Sequence, residues 1–219
     1  MKTHLFLSFA GFIALLGAAL PAFSQTWPAG VTPVRGVVES SSGDLLTVNS
    51  KTGPVKIRLG SPLQVYRDIP SDLAHVNSSS YVGVLSFKQP DGSERAKEIY
   101  IFPEELRGTG EGSFLLNQSQ PNTESNSRMT NGTVSGSRIT NDSVSRSRMT
   151  NGTVNARLET SKLTVQYNGG VQNISVPPDV TVVALTVSPE QLKQGENVLV
   201  LAKNQPDGSF TTTKVISTK

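Results

Sequence analysis

The pentapeptide Gln-Pro-Asp-Gly-Ser stands twice in this chain, at 89–93 and at 205–209. Each copy follows an apolar run of strand character, Tyr81-Val82-Gly83-Val84-Leu85 and Asn197-Val198-Leu199-Val200-Leu201. Proline presets φ for the second position of a turn, aspartate tolerates the bend and glycine reaches positive φ, so the motif reads as a hairpin connection. Upstream, Leu46-Thr47-Val48 corresponds to Leu163-Thr164-Val165. A chain that repeats its strands and turns at matching offsets is constrained to repeat its fold. Two modules are expected, at 34–103 and 149–219.

Alternation fills in each module. Val34 to Glu39, Leu45 to Ser50 and Val55 to Leu59 read as strands; in the last, Val55, Ile57 and Leu59 point to one face and Lys56 and Arg58 to the other. A short helix near Pro70 to His75 precedes strands Tyr81 to Lys88 and Ala96 to Phe102. The second module repeats the plan with strands Thr153 to Glu159, Leu163 to Tyr167, Gln172 to Val176 and Thr181 to Leu185. A helix opened by Ser188-Pro189-Glu190-Gln191 follows, then strands from Asn197 and Phe210. The expected fold is all-β: two tandem small OB-like five-stranded β-barrels, each with a short helix, joined by a long flexible linker. A plain β-sandwich is the competing arrangement.

The linker, 104–148, is rich in Ser, Asn, Thr, Gly and Gln and offers one apolar island, Phe114-Leu115-Leu116. That is too little apolar area to offset the entropy of ordering it, so disorder is expected. Within it begins a decapeptide repeated nearly three times from Ser127 to Val154, SRMTNGTVSG, SRITNDSVSR, SRMTNGTV. The third copy runs straight into Asn155-Ala156-Arg157-Leu158 and is expected to open the first strand of the second barrel, matching Arg35-Gly36-Val37-Val38. The two earlier copies then read as tandem duplications without a barrel of their own. A solenoid is disfavoured, because each copy carries only two medium apolar side chains. Exchange of a spare copy with the third stays open, since near-identical strands compete for one edge.

The first residues place Lys2 before an apolar run from Leu5 to Leu20, then Pro21 and Ala22-Phe23-Ser24. This predicts a signal peptide at 1–24 and a periplasmic or secreted bacterial protein. No later segment is apolar enough to span a bilayer, so the mature chain is not expected to be an integral membrane protein. Cysteine is absent, and after cleavage His75 is the one histidine and the net charge falls from +3 to +2. So small a surplus calls for no strong anionic partner.

The run Ile101-Phe102-Pro103-Glu104-Glu105-Leu106-Arg107-Gly108-Thr109-Gly110-Glu111-Gly112, with Met149-Thr150-Asn151 and Val176-Pro177-Pro178, resembles an uncharacterised exported family of Proteobacteria. Its members carry an OB-like domain of unknown function, and some are labelled metal ABC transporter permeases. The resemblance implies the barrel fold but no catalytic residues. Phe114-Leu115-Leu116 stands where the family has a Trp-containing segment. A permease needs long apolar helices, which the mature sequence lacks.

The chemistry narrows further. Soft-metal sites draw on Cys and His, so no metal and no cofactor are expected. Glu104, Glu105 and Glu111 lack calcium-loop spacing. Nucleophilic catalysis has no cysteine and no second histidine to use, and Gly108 to Gly112 reads as a hinge, not a phosphate cradle. OB barrels bind on the face of strands two and three. In the first module that face offers Thr47, Asn49, Lys51, Lys56 and Arg58; in the second it offers Thr164, Gln166, Asn173 and Ser175, which carry no charge. Aromatic platforms beside the basic groups are missing, so nucleic acid is not an expected partner. The expectation is a non-enzymatic binding or scaffold protein for an envelope component. An accessory of metal or solute transport and an unfamiliar hydrolase are the alternatives.

Overall fold

The computed structural model describes residues 25–116, 127–138 and 161–218. The expected signal peptide and the third decapeptide lie outside them. The protein is all-β. Its strands are β1 (Val31–Ser42), β2 (Leu45–Ser50), β3 (Gly53–Ser71), β4 (Tyr81–Lys88), β5 (Glu94–Phe102), β6 (Gly112–Leu115), β7 (Ser127–Arg138), β8 (Ser161–Tyr167), β9 (Gly170–Val176), β10 (Thr181–Ser188), β11 (Asn197–Asn204) and β12 (Phe210–Thr218).

All twelve belong to one hydrogen-bonded sheet, part of which closes on itself. β1 pairs antiparallel with β2 and β2 with β3; β3 runs parallel to β12, and β12 returns through β11 to β1. These five strands form a closed barrel. The other strands continue from β3 through β10 to β5, β4, β7, β8 and β9. β9 comes back to β5 over two parallel residue pairs, Glu94 with Ile174 and Arg95 with Ser175. β6 lies on β7.

Both copies of the pentapeptide turn behave as their residues predict. In the first, Gln89 N–H donates to Ser93 O at 2.7 Å and Gly92 N–H to Gln89 O at 2.9 Å; in the second, Gln205 and Gly208 repeat the pattern at 2.9 Å each. Gly92 and Gly208 adopt φ of 85° and 79°. Asp91 and Asp207 each accept from the backbone and hydroxyl of the serine two residues on.

The tandem order is corrected. β1, β2 and β3 do not close with β4 and β5, the strands that follow them; they close with β11 and β12 from the far end of the chain. β4 and β5 instead join β7, β8 and β9. The two repeats have exchanged their last two strands. The cause lies in β3, whose 19 residues carry the chain beyond the first barrel to pair with β10 from Val65 to Ser71. β4 therefore starts beside the other set of strands.

The expected helices are reduced. Only the 3₁₀ turn Leu73–His75 stands in the first region, capped by Asp72, whose side chain accepts from Ala74 N. Ser188 does accept from Glu190 N–H at 3.2 Å, as an N-cap would. No helix follows, because 189–196 spends its backbone on β1: Gly195 N–H donates to Val38 O and Val38 N–H to Glu196 O, both at 2.8 Å. Leu192 inserts into the barrel core.

The linker reading is also corrected in its described parts. Residues 104–106 form a 3₁₀ turn with Leu106 buried, 112–115 form β6, and the first decapeptide is β7. The glycine run is a packed turn, not a hinge, with Thr109 and Gly110 buried. A strand so polar is stable here because β4 and β8 occupy both its edges and most of its buried polar groups find partners, Asn131 Oδ1 excepted. Asn131 Nδ2–H donates to Gly110 O at 2.9 Å, and Thr130 shares a 2.9 Å bond with Ser113. The first copy thus takes the place that corresponds to β1, while the third, expected there, lies outside the described residues. Gly36 and Gly132 mark the equivalence: a Cβ on Gly36 would stand 2.2 Å from the backbone oxygen of Asn49, and one on Gly132 2.3 Å from that of Gln166.

Burial follows the two sets of strands. Val34, Val38, Leu46, Val48, Ile57, Val200 and Val215 fill the closed barrel. Val82, Val84, Ile99, Val134, Leu163, Val165 and Ile174 form a second core among β4, β5, β7, β8 and β9. A third cluster, with Tyr66, Leu106, Leu185, Leu199, Leu201 and Ile216, packs β10 and the 104–106 turn against the closed barrel, and Phe102 of β5 lies against it. Each fully buried aliphatic side chain contributes roughly 1.5–3 kcal/mol, so the joint is held by the same force as the cores.

Candidate binding surfaces

The β2–β3 hairpin brings together most of the residues expected to bind. Thr47 stands opposite Lys56, Leu45 opposite Arg58 and Asn49 opposite Pro54. Because side chains alternate, Thr47, Asn49, Lys56 and Arg58 share the outer face while Leu46, Val48 and Ile57 point into the core. Lys51 sits in the turn that joins the two strands. Thr47 is largely covered; the others are exposed. Arg58 lies 3.9 Å from Asp44, both well exposed. Hydrogen bonds from the Ser209 side chain and backbone hold the Asp207 carboxyl below its usual range, with Arg58 adding to the effect. The turn 205–209 therefore borders the same face.

The corresponding face of β8 and β9 is uncharged at its centre, as expected. Thr164 stands opposite Asn173 and donates to its Oδ1 at 2.9 Å. Ser175 turns aside to donate to Glu94 O.

Sequence reasoning missed a larger feature. Between the β4–β5 turn and the β9–β10 connection runs an open groove of about 740 Å³, lined by Phe87, Lys88, Arg95, Lys97, Pro177, Asp179 and Thr181. Lys97 Nζ sits 5.1 Å from the centre of the Phe87 ring, and Arg95 is 3.9 Å from Asp179. Three exposed cations face one acid here. Arg95-x-Lys97 on a strand and Lys88 beside the turn were the signal available. The groove itself comes from the exchanged pairing of β5 with β9 and β10.

A second, apolar groove of about 480 Å³ is lined by Ile69, Pro70, Ile101 and Ala184 and carries Ser71, Asp72 and His75 at one side. Those three residue types suggest a proton relay, but the geometry excludes it. Asp72 Oδ1 lies 3.0 Å and Ser71 Oγ 3.4 Å from the same ring nitrogen, Nδ1 of His75. A relay needs the acid and the hydroxyl on opposite nitrogens.

The buried ionic contacts are structural. Glu94 accepts from Ser86 Oγ at 2.8 Å and Arg128 Nε at 3.2 Å, and Arg128 also donates to Ser113 at 3.1 Å. This chain ties β4, β5, β6 and β7 in register. Arg67 does the same for β3 and β12, reaching Ser217 at 3.0 Å and Glu196 at 3.1 Å. Burial pushes the Tyr81 and Tyr100 hydroxyls far up, so neither is a base near neutral pH. Among the described residues, no group of three or more His, Asp or Glu side chains is placed to hold a metal ion, and no helix is long and apolar enough to cross a membrane.

Fold and surfaces together define an all-β protein with a closed five-stranded barrel and a cationic groove outside it. Compared with protein-family models, curated proteins and solved structures, the chain matches none.

Proposed function

We propose that this is an exported, periplasmic or secreted binding or scaffold protein without enzymatic activity, built on two OB-like barrels and recognising a component of the cell envelope. The strand order supports the fold reading. In the closed barrel the order is first, second, third, fifth, fourth and back to first, with the third and fifth parallel, as in an OB-type Greek key. The order β7, β8, β9, β5, β4 and back to β7 repeats it. The resemblance of Ile101 to Gly112 to an exported family agrees with the same reading.

The observation that carries the ligand reading is the groove at Phe87, where Lys88, Arg95 and Lys97 meet an aromatic face beside the β4–β5 turn. OB barrels use the loop between their fourth and fifth strands in binding. Cations spaced along a groove suit a polymer with repeated negative charge, and the aromatic face suits a sugar ring. An anionic envelope glycan is therefore the favoured class. A sedimentation assay against purified peptidoglycan and anionic glycans tests this. The wild type is expected to co-sediment at low salt and the Arg95→Glu/Lys97→Glu protein at least about tenfold less, with release as salt rises. Equal sedimentation of both would end the reading.

A further inference from the structure

We infer that the apolar groove at Ile69, Ile101 and Ala184 binds a small aliphatic cation, an alkylguanidinium or alkylammonium of about the length of an arginine side chain. The corresponding place in the other half of the molecule is filled by an arginine.

The correspondence follows from the strand registers. β3 and β10 pair about a two-fold centre at Asp68 and Leu185, with Val65 opposite Ser188 and Ser71 opposite Val182. Around this centre, β12 lies beside β3 with Val215 opposite Val65 and Ile216 opposite Tyr66; β5 lies beside β10 with Ile99 opposite Val182 and Tyr100 opposite Val183. Ile99 and Val215 also stand equally far beyond their copies of the pentapeptide. Two positions further along each strand, Ala184 and Ile101 therefore take the places of Arg67 and Ser217. The flanking segments agree. Val76 enters the second core as Leu192 enters the barrel core, which sets His75 in the place of Gln191.

What differs is the filling. Beside the closed barrel the Arg67 side chain occupies the place and donates to Ser217 Oγ at 3.0 Å and to Gln191 O at 3.1 Å, with Glu196 3.1 Å away. In the other half alanine replaces the arginine and isoleucine the serine, and an open groove of about 480 Å³ remains. Ile69, Pro70, Ile101 and Ala184 give it aliphatic walls. A methylene stem lies well on such a surface while its charged head stays in water. Ser80 stands in the place of Glu196, and Asp72 supplies the acid instead. Among the described residues, both contacts of its carboxylate, from Ala74 N–H and with His75 Nδ1, fall on Oδ1, which leaves Oδ2 to an incoming donor. No described lysine or arginine lines this groove, so an anion finds no partner there. It shares no lining residue with the Phe87 groove, and its test is independent of the glycan reading.

Amide spectra of the full chain, titrated at low salt with butylguanidinium, pentanol and pentanoate, test the assignment. Butylguanidinium is expected to give saturable shifts at 69–75, 101 and 184 with millimolar affinity, as one exposed ion pair and a short stem allow. Pentanol is expected to bind at least about threefold more weakly, the factor one such pair supplies, and pentanoate to leave these residues unmoved. Asp72→Asn keeps an acceptor for Ala74 and is expected to weaken the cation to the level of pentanol. Ala184→Arg, which rebuilds the filled counterpart, is expected to abolish the shifts; Ala184→Met, which fills the groove without a charge, gives the same result if the arginine variant fails to fold. Equal binding of pentanol and butylguanidinium overturns the inference, as do shifts that persist in a folded filled variant. A response to an arginine peptide but not to the free cation assigns the groove to a protein partner and overturns it too. So do groove signals that move on dilution without ligand, the mark of a second copy.

Discussion

A single missing atom governs how closely the strands approach. Gly36 lies where a Cβ would meet the Asn49 backbone oxygen at 2.2 Å and a Val48 methyl at 2.8 Å. Neither can retreat without breaking the β1–β2 ladder, in which Gly36 stands opposite Ser50 and Val37 opposite Asn49. Gly36→Ala is therefore expected to cost more than about 2 kcal/mol, in the range of overpacked cores. Calorimetry should show this as a melting temperature lowered by at least about 4 °C.

At the scale of elements, the two pentapeptide turns behave as one device used twice. In each, hydrogen bonds from a serine hold an exposed aspartate below its usual range, led by the serine hydroxyl. A carboxyl with a lowered folded pKa contributes stability above its unfolded value, near pH 4, and that contribution is lost as pH falls through the folded value. The melting temperature is thus expected to drop on acidification below about pH 4, and to drop less steeply in the Asp91→Asn/Asp207→Asn protein; an unchanged slope would show that these turns do not titrate with folding. Such turns were legible in the sequence because their cause is local. Alternation likewise set the burial of Val55, Ile57 and Leu59 against Lys56 and Arg58, and hence the outer face of β2 and β3. What local pattern does not encode is which of two similar strand pairs closes which set. Tyr81 to Leu85 and Asn197 to Leu201 present the same kind of apolar ladder, and the choice falls to the length of β3. The decapeptide leaves a related ambiguity, because its first and third copies share the same eight residues. The Phe87 groove stayed hidden because it is assembled from pairings distant in sequence.

For the whole molecule, exchange of the last two strands makes neither half self-sufficient. Residues 31–103 contain the first three strands of the closed barrel but lack β11 and β12, while the second core lacks two of its strands without β4 and β5. Expressed alone, 31–103 and 104–219 are each expected to give the poorly dispersed amide spectra of unfolded chains. Mixed, they are expected to associate one to one and regain the spectrum of the intact protein. A well-dispersed spectrum from 31–103 alone would contradict the exchanged order. Because the third apolar cluster packs β10 and Phe102 of β5 against the closed barrel, the intact protein is expected to melt in one transition.

This order also dictates a timetable. A ribosome delivers β1 and β3 early, yet their outer neighbours, β11 and β12, are the last of the described strands to be made. Through most of synthesis the young polypeptide carries two bare rows of amide and carbonyl groups that any passing strand can satisfy. Its maturation therefore depends on being kept apart from other chains until β11 and β12 arrive.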